Sequence, residues 1–161
     1  MESSRVRRDN LKLSGDLVYL HAGRRFTGIA VEEDGGRRIG ETTFRRGIRH
    51  GIAREWDPNS GALVRETHYR GSIAHGIVES WFTSGRPRSL EFLDRGVRTM
   101  GVVWNESGEV VERFRLTKAH ANFEVLQKHR DWLGGDIEPL DGNQRAKESE
   151  LNALLQELGT A

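Results

Sequence analysis

One short phrase recurs along the chain: Gly23-Arg-Arg-Phe-Thr-Gly28, Gly47-Ile-Arg-His-Gly51, Gly71-Ser-Ile-Ala-His-Gly76 and Gly96-Val-Arg-Thr-Met-Gly101. The leading glycines are 24, 24 and 25 residues apart. A period this constant defines a repeat array, in which one supersecondary unit is stacked on copies of itself. Composition agrees: 35% of the 161 residues are hydrophobic and 19 are Gly. Sparse apolar content with frequent Gly suits a thin sheet with many turns rather than a thick two-layer core.

Each unit reads as two strands. The first follows the second glycine of the phrase: 29–33, 52–56, 77–82 and 102–104. A Gly-containing turn comes next, closed by Gly36, Gly61, Gly85 and Gly108. The second strand covers 37–44, 62–69, 88–93 and 109–116. Short runs of Val, Ile, Thr and aromatics between Gly/Asn/Asp/Ser turns are the hairpin signature. Period-two alternation places Ile52, Arg54 and Trp56 on one face, with Ile77, Glu79 and Trp81 in matching places. The glycines Gly23, Gly28, Gly47, Gly51, Gly71, Gly76, Gly96 and Gly101 are expected to shape the crossings between hairpins, through φ > 0 or close backbone approach. The expected fold is mainly β: an antiparallel meander of about four hairpin repeats in an elongated twisted sheet, then two C-terminal helices. The parts are a frayed polar N-terminus (1–10), the β-repeat array (11–116, opening with a half repeat) and a helical segment (117–161).

In that last segment, Thr117 is a candidate N-cap for a helix over Lys118–Leu133, striped by Phe123, Leu126, Arg130 and Leu133. Gly134-Gly135 ends it, and Asp136–Gly142 is read as a linker. A second helix is expected from about Gln144 to Leu158, with Leu151, Leu154, Leu155 and Leu158 as its apolar stripe. So narrow a stripe needs a surface to lie on, either the open face of the sheet or a second copy of the chain. Charge favours the first. Residues 1–116 carry 20 Lys/Arg and 16 Asp/Glu, a net of +4, whereas 117–161 carry 5 and 8, a net of −3.

The series from Gly47 through Gly51, Trp56, Gly61, Leu63, Glu66 and Tyr69 to Gly71, repeated from Gly71 through Gly76, Trp81, Gly85 and Glu91 to Gly96, resembles the bacterial variant of the MORN repeat. The resemblance covers roughly residues 16–116. The first unit lacks the aromatic at the place of Trp56, and the last has no closing glycine, as end repeats often do. Bacterial proteins of this kind are described as YwqK-like antitoxins or as immunity proteins beside secreted toxins. Eukaryotic MORN proteins are linked to membranes and scaffolding.

Chemistry has little to work with. There is no cysteine, hence no disulfide framework or thiolate metal site. His50 and His75 each precede a repeat glycine, and His120 and His129 are nine apart, off any shared helix face. The sequence holds no Gly-x-Ser-x-Gly elbow, Walker loop or His-Glu-x-x-His. Glu41, Glu66 and Glu91 recur as a solvated ladder facing Arg partners. Trp56, Trp81 and Trp104 read as stacked core at repeat-locked positions, with partner anchors as the other reading. The basic stretch Arg45, Arg46, Arg49, His50 and Arg54, together with His75 and Arg98, is the candidate surface for an acidic partner, with an ordinary charged sheet edge as the bland reading. No apolar run approaches a membrane span and the start has no apolar signal core, so the chain reads as cytoplasmic.

These features predict a non-enzymatic binding module without a cofactor or metal. Its expected role is that of an antitoxin or immunity protein covering the active site of a toxin encoded nearby. A scaffold at an anionic membrane surface is the alternative. A homodimer through the C-terminal helices is a further expectation, and nucleic acid is not an expected partner.

Overall fold

The structure, a computed structural model, describes residues 4–134 and 137–159. Gly135 and Asp136 of the expected linker lie outside the described residues. The chain is mainly β: a long open antiparallel meander of hairpins followed by two helices. The strands of the array are β1 (Arg5–Arg7), β2 (Leu11–Leu13), β3 (Tyr19–His21), β4 (Arg24–Arg25), β5 (Gly28–Asp34) and β6 (Arg37–Arg45). They continue as β7 (Ile48–Trp56), β8 (Leu63–Arg70), β9 (Ile73–Trp81), β10 (Pro87–Asp94), β11 (Val97–Trp104) and β12 (Val110–Arg115). The helices are α1 (Ala121–Leu133) and α2 (Gly142–Glu157). Among the described residues nine strands form one sheet in the order β1-β5-β6-β7-β8-β9-β10-β11-β12, and β2, β3 and β4 form a separate three-stranded sheet.

Two expectations about the N-terminus fail here. Residues 5–10 are not frayed: β1 pairs in parallel with β5, and residues 8–10 make a 3-10 turn. The opening half repeat does not join the array either. Its hairpin β3–β4 pairs with β2 and lies across the end of the large sheet, joined to it by the Tyr19 N–H, which donates to the Gly47 carbonyl at 2.7 Å.

Cross-strand partners share a face of a sheet, so the register sorts the side chains. One unbroken row runs Ala30, Thr42, Ala53, Thr67, Val78, Glu91, Gly101, Phe114. The neighbouring row, on the opposite face, runs Val31, Glu41, Arg54, Glu66, Glu79, Leu90, Val102, Arg113. Helix α2 lies on the second face. Its Leu151 and Leu155 are fully buried against Ile77, Phe92, Met100 and Val102, with Leu154 and Leu158 beside them. The expected leucine stripe therefore rests on the chain's own sheet. On the first face, at the other end, Leu11, Phe26, Ala30 and Phe44 form a second core under the small sheet, with Val6 and Tyr19 packed on it.

The glycines divide into two jobs. Gly47 and Gly96 follow Arg46 and Arg95, and both residues of each pair have φ > 0. These are two-residue turns of the type that matches strand twist. Gly28 opens β5, but the trailing glycines Gly51, Gly76 and Gly101 do not mark a strand start as expected. β7 begins at Ile48, so Gly51 lies inside it. From Thr42 to Phe44, β6 advances two residues while its partners on β7 advance four, from Ala53 to Arg49. The same bulge recurs in β9, where Thr67 to Tyr69 faces Val78 to Ala74. His50-Gly51 and His75-Gly76 are the inserted pairs, and a bulge re-aims the side chain it carries. Gly76 is also needed for space, because a Cβ there would meet Gln144 Oε1 at 2.5 Å.

The helices start later or earlier than expected. α1 begins at Ala121 after His120; the Thr117 N–H donates to His120 Nδ1 at 3.0 Å, which makes a turn of residues 117–120 rather than a helix cap. α2 begins at Gly142, capped by Asp141, whose side chain accepts the Gln144 N–H at 2.9 Å.

Candidate functional site

The bare part of the sheet is the face opposite α2, across β7 to β12. A shallow trough of about 640 Å³ runs over it, lined by Glu55, Arg65, Ser80, Arg88, Ser89 and Glu91. Register explains the lining: Glu55, Arg65, Ser80, Ser89 and Val103 are successive cross-strand partners. The Ser80 and Ser89 hydroxyls are 2.7 Å apart. Long side chains lie over small ones beside this row. Arg98 covers Gly101, where a Cβ would stand 2.4 Å from its guanidinium. The same Arg98 pairs with Glu91 at 2.8 Å and Glu112 at 2.5 Å and stacks on Phe114. A flat surface of paired charges flanked by aromatics is suited to another protein's surface, since it offers broad contact without enclosing a small ligand.

The basic stretch of the sequence is not one patch in space. Alternation and the bulge send its members in different directions. Arg45 and His50 both turn to Glu138, in the connector between α1 and α2; Arg45 bonds one carboxylate oxygen, and His50 Nε2 lies 3.2 Å from the other. Arg49 points to the opposite face, where it stacks on Tyr69 and, with Arg8 over the Tyr19 ring, sets its charge near the Tyr19 hydroxyl. Burial pushes Tyr19 up, yet these two guanidiniums hold it below its ordinary range. Arg54 pairs with Glu66 at 2.8 Å on the α2 face. Arg46 stays exposed at its turn, where its N–H donates to Thr27 Oγ1. The carboxylate ladder divides too: Glu41 and Glu66 share the α2 face, whereas Glu91 sits on the trough face. Each still meets an Arg, Glu41 through Arg5 and Arg38.

His75 belongs to the seat of α1. Its Nδ1 accepts the Arg95 N–H at 3.2 Å and stands 3.5 Å from Asp94. Asp94 also takes two bonds from Arg130 of α1, at 2.7 and 2.9 Å, and one from Arg95. Burial pushes the Asp94 carboxyl up, but His75, Arg130 and Arg95 together hold it far below the usual carboxylate range. The His129 Nδ1–H donates to the Arg95 carbonyl at 2.9 Å. α1 is thus attached by these polar contacts together with Leu126, which is buried, whereas its Trp132 is 86% exposed.

α2 has a polar pin within its apolar seat. Gln144 is fully buried; its Oε1 accepts the Ile77 N–H at 2.7 Å, so its amide nitrogen faces His68 Nε2 at 2.9 Å. Beyond His68 stands Glu66, held down to about 2 by His68 first and by Arg54. Lys147 reaches from the helix to Glu79. Of the three repeat-locked tryptophans none is fully buried. Trp104 packs on the core under α2, Trp56 lies beneath the Arg38 guanidinium, and Trp81 lines a groove of about 570 Å³ with Leu90, Trp104 and Leu154. Trp104 alone of the three packs on a core cluster, so they do not form the single stacked core the sequence suggested.

Sequence reasoning missed Arg70, Asp94, Arg130, Glu138 and Gln144. The opposite net charges of the two segments gave a general signal that the tail returns to the array. No local pattern marked the individual partners.

Among the described residues no helix is long and apolar enough to cross a membrane. No protein-family model matches the sequence, and no curated protein matches it. Among solved structures, the crystal structure of accessory secretory proteins 1, 2 and 3 of Streptococcus pneumoniae contains a chain that aligns with 88% of this one, at 10% identity and a TM-score of 0.37. This chain spans 29% of that chain's length. A likeness that distant says nothing of function.

Proposed function

We propose that this chain is a non-enzymatic protein-binding module of MORN-like repeats, working in the cytoplasm as an antitoxin or immunity protein. The carrying observation is the uncovered trough face of β7 to β12, with Glu55, Arg65, Arg88 and Glu91 displayed on a sheet whose other face is covered by α2. Such a surface would seat over the active cleft of a cognate toxin and keep substrate out. Strand pairing fixes the spacing of its charges, so little conformational freedom is lost on binding.

The test is co-purification with the product of the neighbouring gene, followed by a growth assay with both proteins expressed. Rescue by the wild-type chain, and its loss on combining Arg65→Glu with Arg88→Glu, supports this reading. Absence of both binding and rescue overturns it. The membrane alternative rested on the basic stretch, much of which is bonded to groups of the chain's own. Flotation with anionic liposomes at low salt would revive that alternative.

A further inference from the structure

The surroundings of Arg70, at the end of β8, are unusual. Its side chain is nine-tenths buried, its Nε is shielded from solvent without a hydrogen-bond partner, and its nearest carboxylate oxygen, on Asp141, is 3.9 Å away. That distance is beyond hydrogen-bond reach. A buried guanidinium nitrogen left without a partner is costly, and an oxyanion is the group that suits a guanidinium's fork. The β7–β8 register, which pairs Gly51 with Tyr69, carries on to bring His50 next to Arg70; the His50 side chain is 16% exposed, and Arg45 forms the rim at 53%. These groups come from the ends or bulges of three consecutive strands, β6, β7 and β8, so the repeat itself brings them together.

The recess already shows what it accepts. Glu138 of the connector reaches in, and Arg45 and His50 take one oxygen each. The Arg45 bond is the main reason the Glu138 carboxyl lies below its ordinary range; burial, then Arg45, push His50 down. Arg70 adds its field to both groups, yet its Nε stays without a partner beside Glu138's ion pairs. Glu138 is itself about half exposed, and half-exposed ion pairs contribute little, so it is a readily exchanged occupant.

We propose that Arg45, His50 and Arg70 form a carboxylate-binding site that takes an Asp or Glu side chain of a partner protein, with Glu138 as its resident occupant in the free chain. This rests on reading the chain as a protein-binding module. It adds a second point of contact, on the side where the helices are attached. An incoming carboxylate that also reaches Arg70 makes bonds that Glu138 does not, and releases the connector.

The experiment is fluorescence anisotropy on the full chain with a short fluorescein-labelled Gly/Glu peptide, its Gly/Gln counterpart, and inorganic phosphate as competitor. Glu138→Gln is expected to bind the Glu peptide about tenfold tighter than wild type, because a tethered competitor has been removed. Arg70→Met, in the Glu138→Gln background, is expected to abolish that gain. If circular dichroism shows that Arg70→Met has unfolded the chain, the rim variant Arg45→Met takes its place with the same expectation. Equal affinity for Glu138→Gln and wild type, equal binding of the Gly/Gln peptide, or displacement by equimolar phosphate each overturns the proposal. The assay contains no toxin, so peptide binding without growth rescue would sink only the antitoxin reading. Rescue without peptide binding would sink only the carboxylate site.

Discussion

The two ends of the large sheet are buried on opposite faces and by different means. At the C-terminal end, α2 covers Ile77, Phe92, Met100 and Val102 with aliphatic side chains around one polar pin, Gln144. At the N-terminal end, the small sheet covers Ala30 and Phe44 through an aromatic group in which Phe26 and Tyr19 meet Phe44 at centroid distances of 5.9 and 5.0 Å. A meander has two equivalent faces by construction. Which face is covered is decided by where the apolar partners of each row fall, and that differs between the first hairpin and the last two. The strands between the ends carry mostly polar rows. The reverse of the α2 seat is polar as well, and there the trough face stays bare.

If the two cores are separate, they should fail separately. Phe44→Ala is expected to cost about 3–5 kcal/mol and Leu155→Ala about 2–5 kcal/mol, by urea denaturation. Their double variant should sum within about 0.5 kcal/mol, since no partner is shared. A large coupling energy would mean that the ends fold as one unit.

A smaller effect tests the polar pin. Gln144→Leu strands the Ile77 N–H in a buried site, and a loss of about 1–3 kcal/mol is expected. Among the described residues no equivalent buried amide supports the N-terminal core, so hydrogen exchange should speed up at Ile77 and stay unchanged at Ala30. Equal changes at both would show that the pin does not belong to the α2 seat.

The glycines give a difference measurement. Gly51 and Gly76 sit at the equivalent bulge with φ of 91° and 105°, but a Cβ makes ordinary contact with Thr43 at Gly51 and meets Gln144 at 2.5 Å at Gly76. Substitution by Ala strains both by about 1 kcal/mol or more. The excess at Gly76 reports the clash with α2, and Gly76→Ala with no greater loss than Gly51→Ala would mean that the helix is not seated there.

Acid should act first on the C-terminal attachments. Glu66 and Asp94 have carboxyl values lowered by folding. Their contribution is whole above the ordinary carboxyl range and is lost as pH falls through the folded value, from about 4.5 towards about 2 for Glu66. His50 is also lowered, so protonating it opposes folding below its ordinary 6.5. Stability measured against pH should therefore decline on the acid side, and Glu66→Gln should flatten the part between 4.5 and 2. A curve that rises towards acid would contradict the assigned pairs.

Much of the architecture was legible because it is periodic. The glycine spacing and the alternation Ile52-Arg54-Trp56 report the local backbone, where neighbours in sequence are neighbours in space. The Leu151–Leu155 stripe likewise revealed a helix that needed a surface. The site was less legible. Arg45, Arg49, His50 and Arg54 look like one patch in sequence, but strand alternation and a bulge invisible to a simple period-two count send them to both faces.

The sequence by itself determined the repeat, the hairpins, the two helices and the supply of charge on each segment, because turn chemistry and hydrophobic period act over a few residues. Only the tertiary structure decided that β2 to β4 close one end, that α2 lies on its own sheet, and that Arg45 and His50 meet Glu138. Those outcomes depend on which groups from distant segments can be desolvated together, and no local pattern records that.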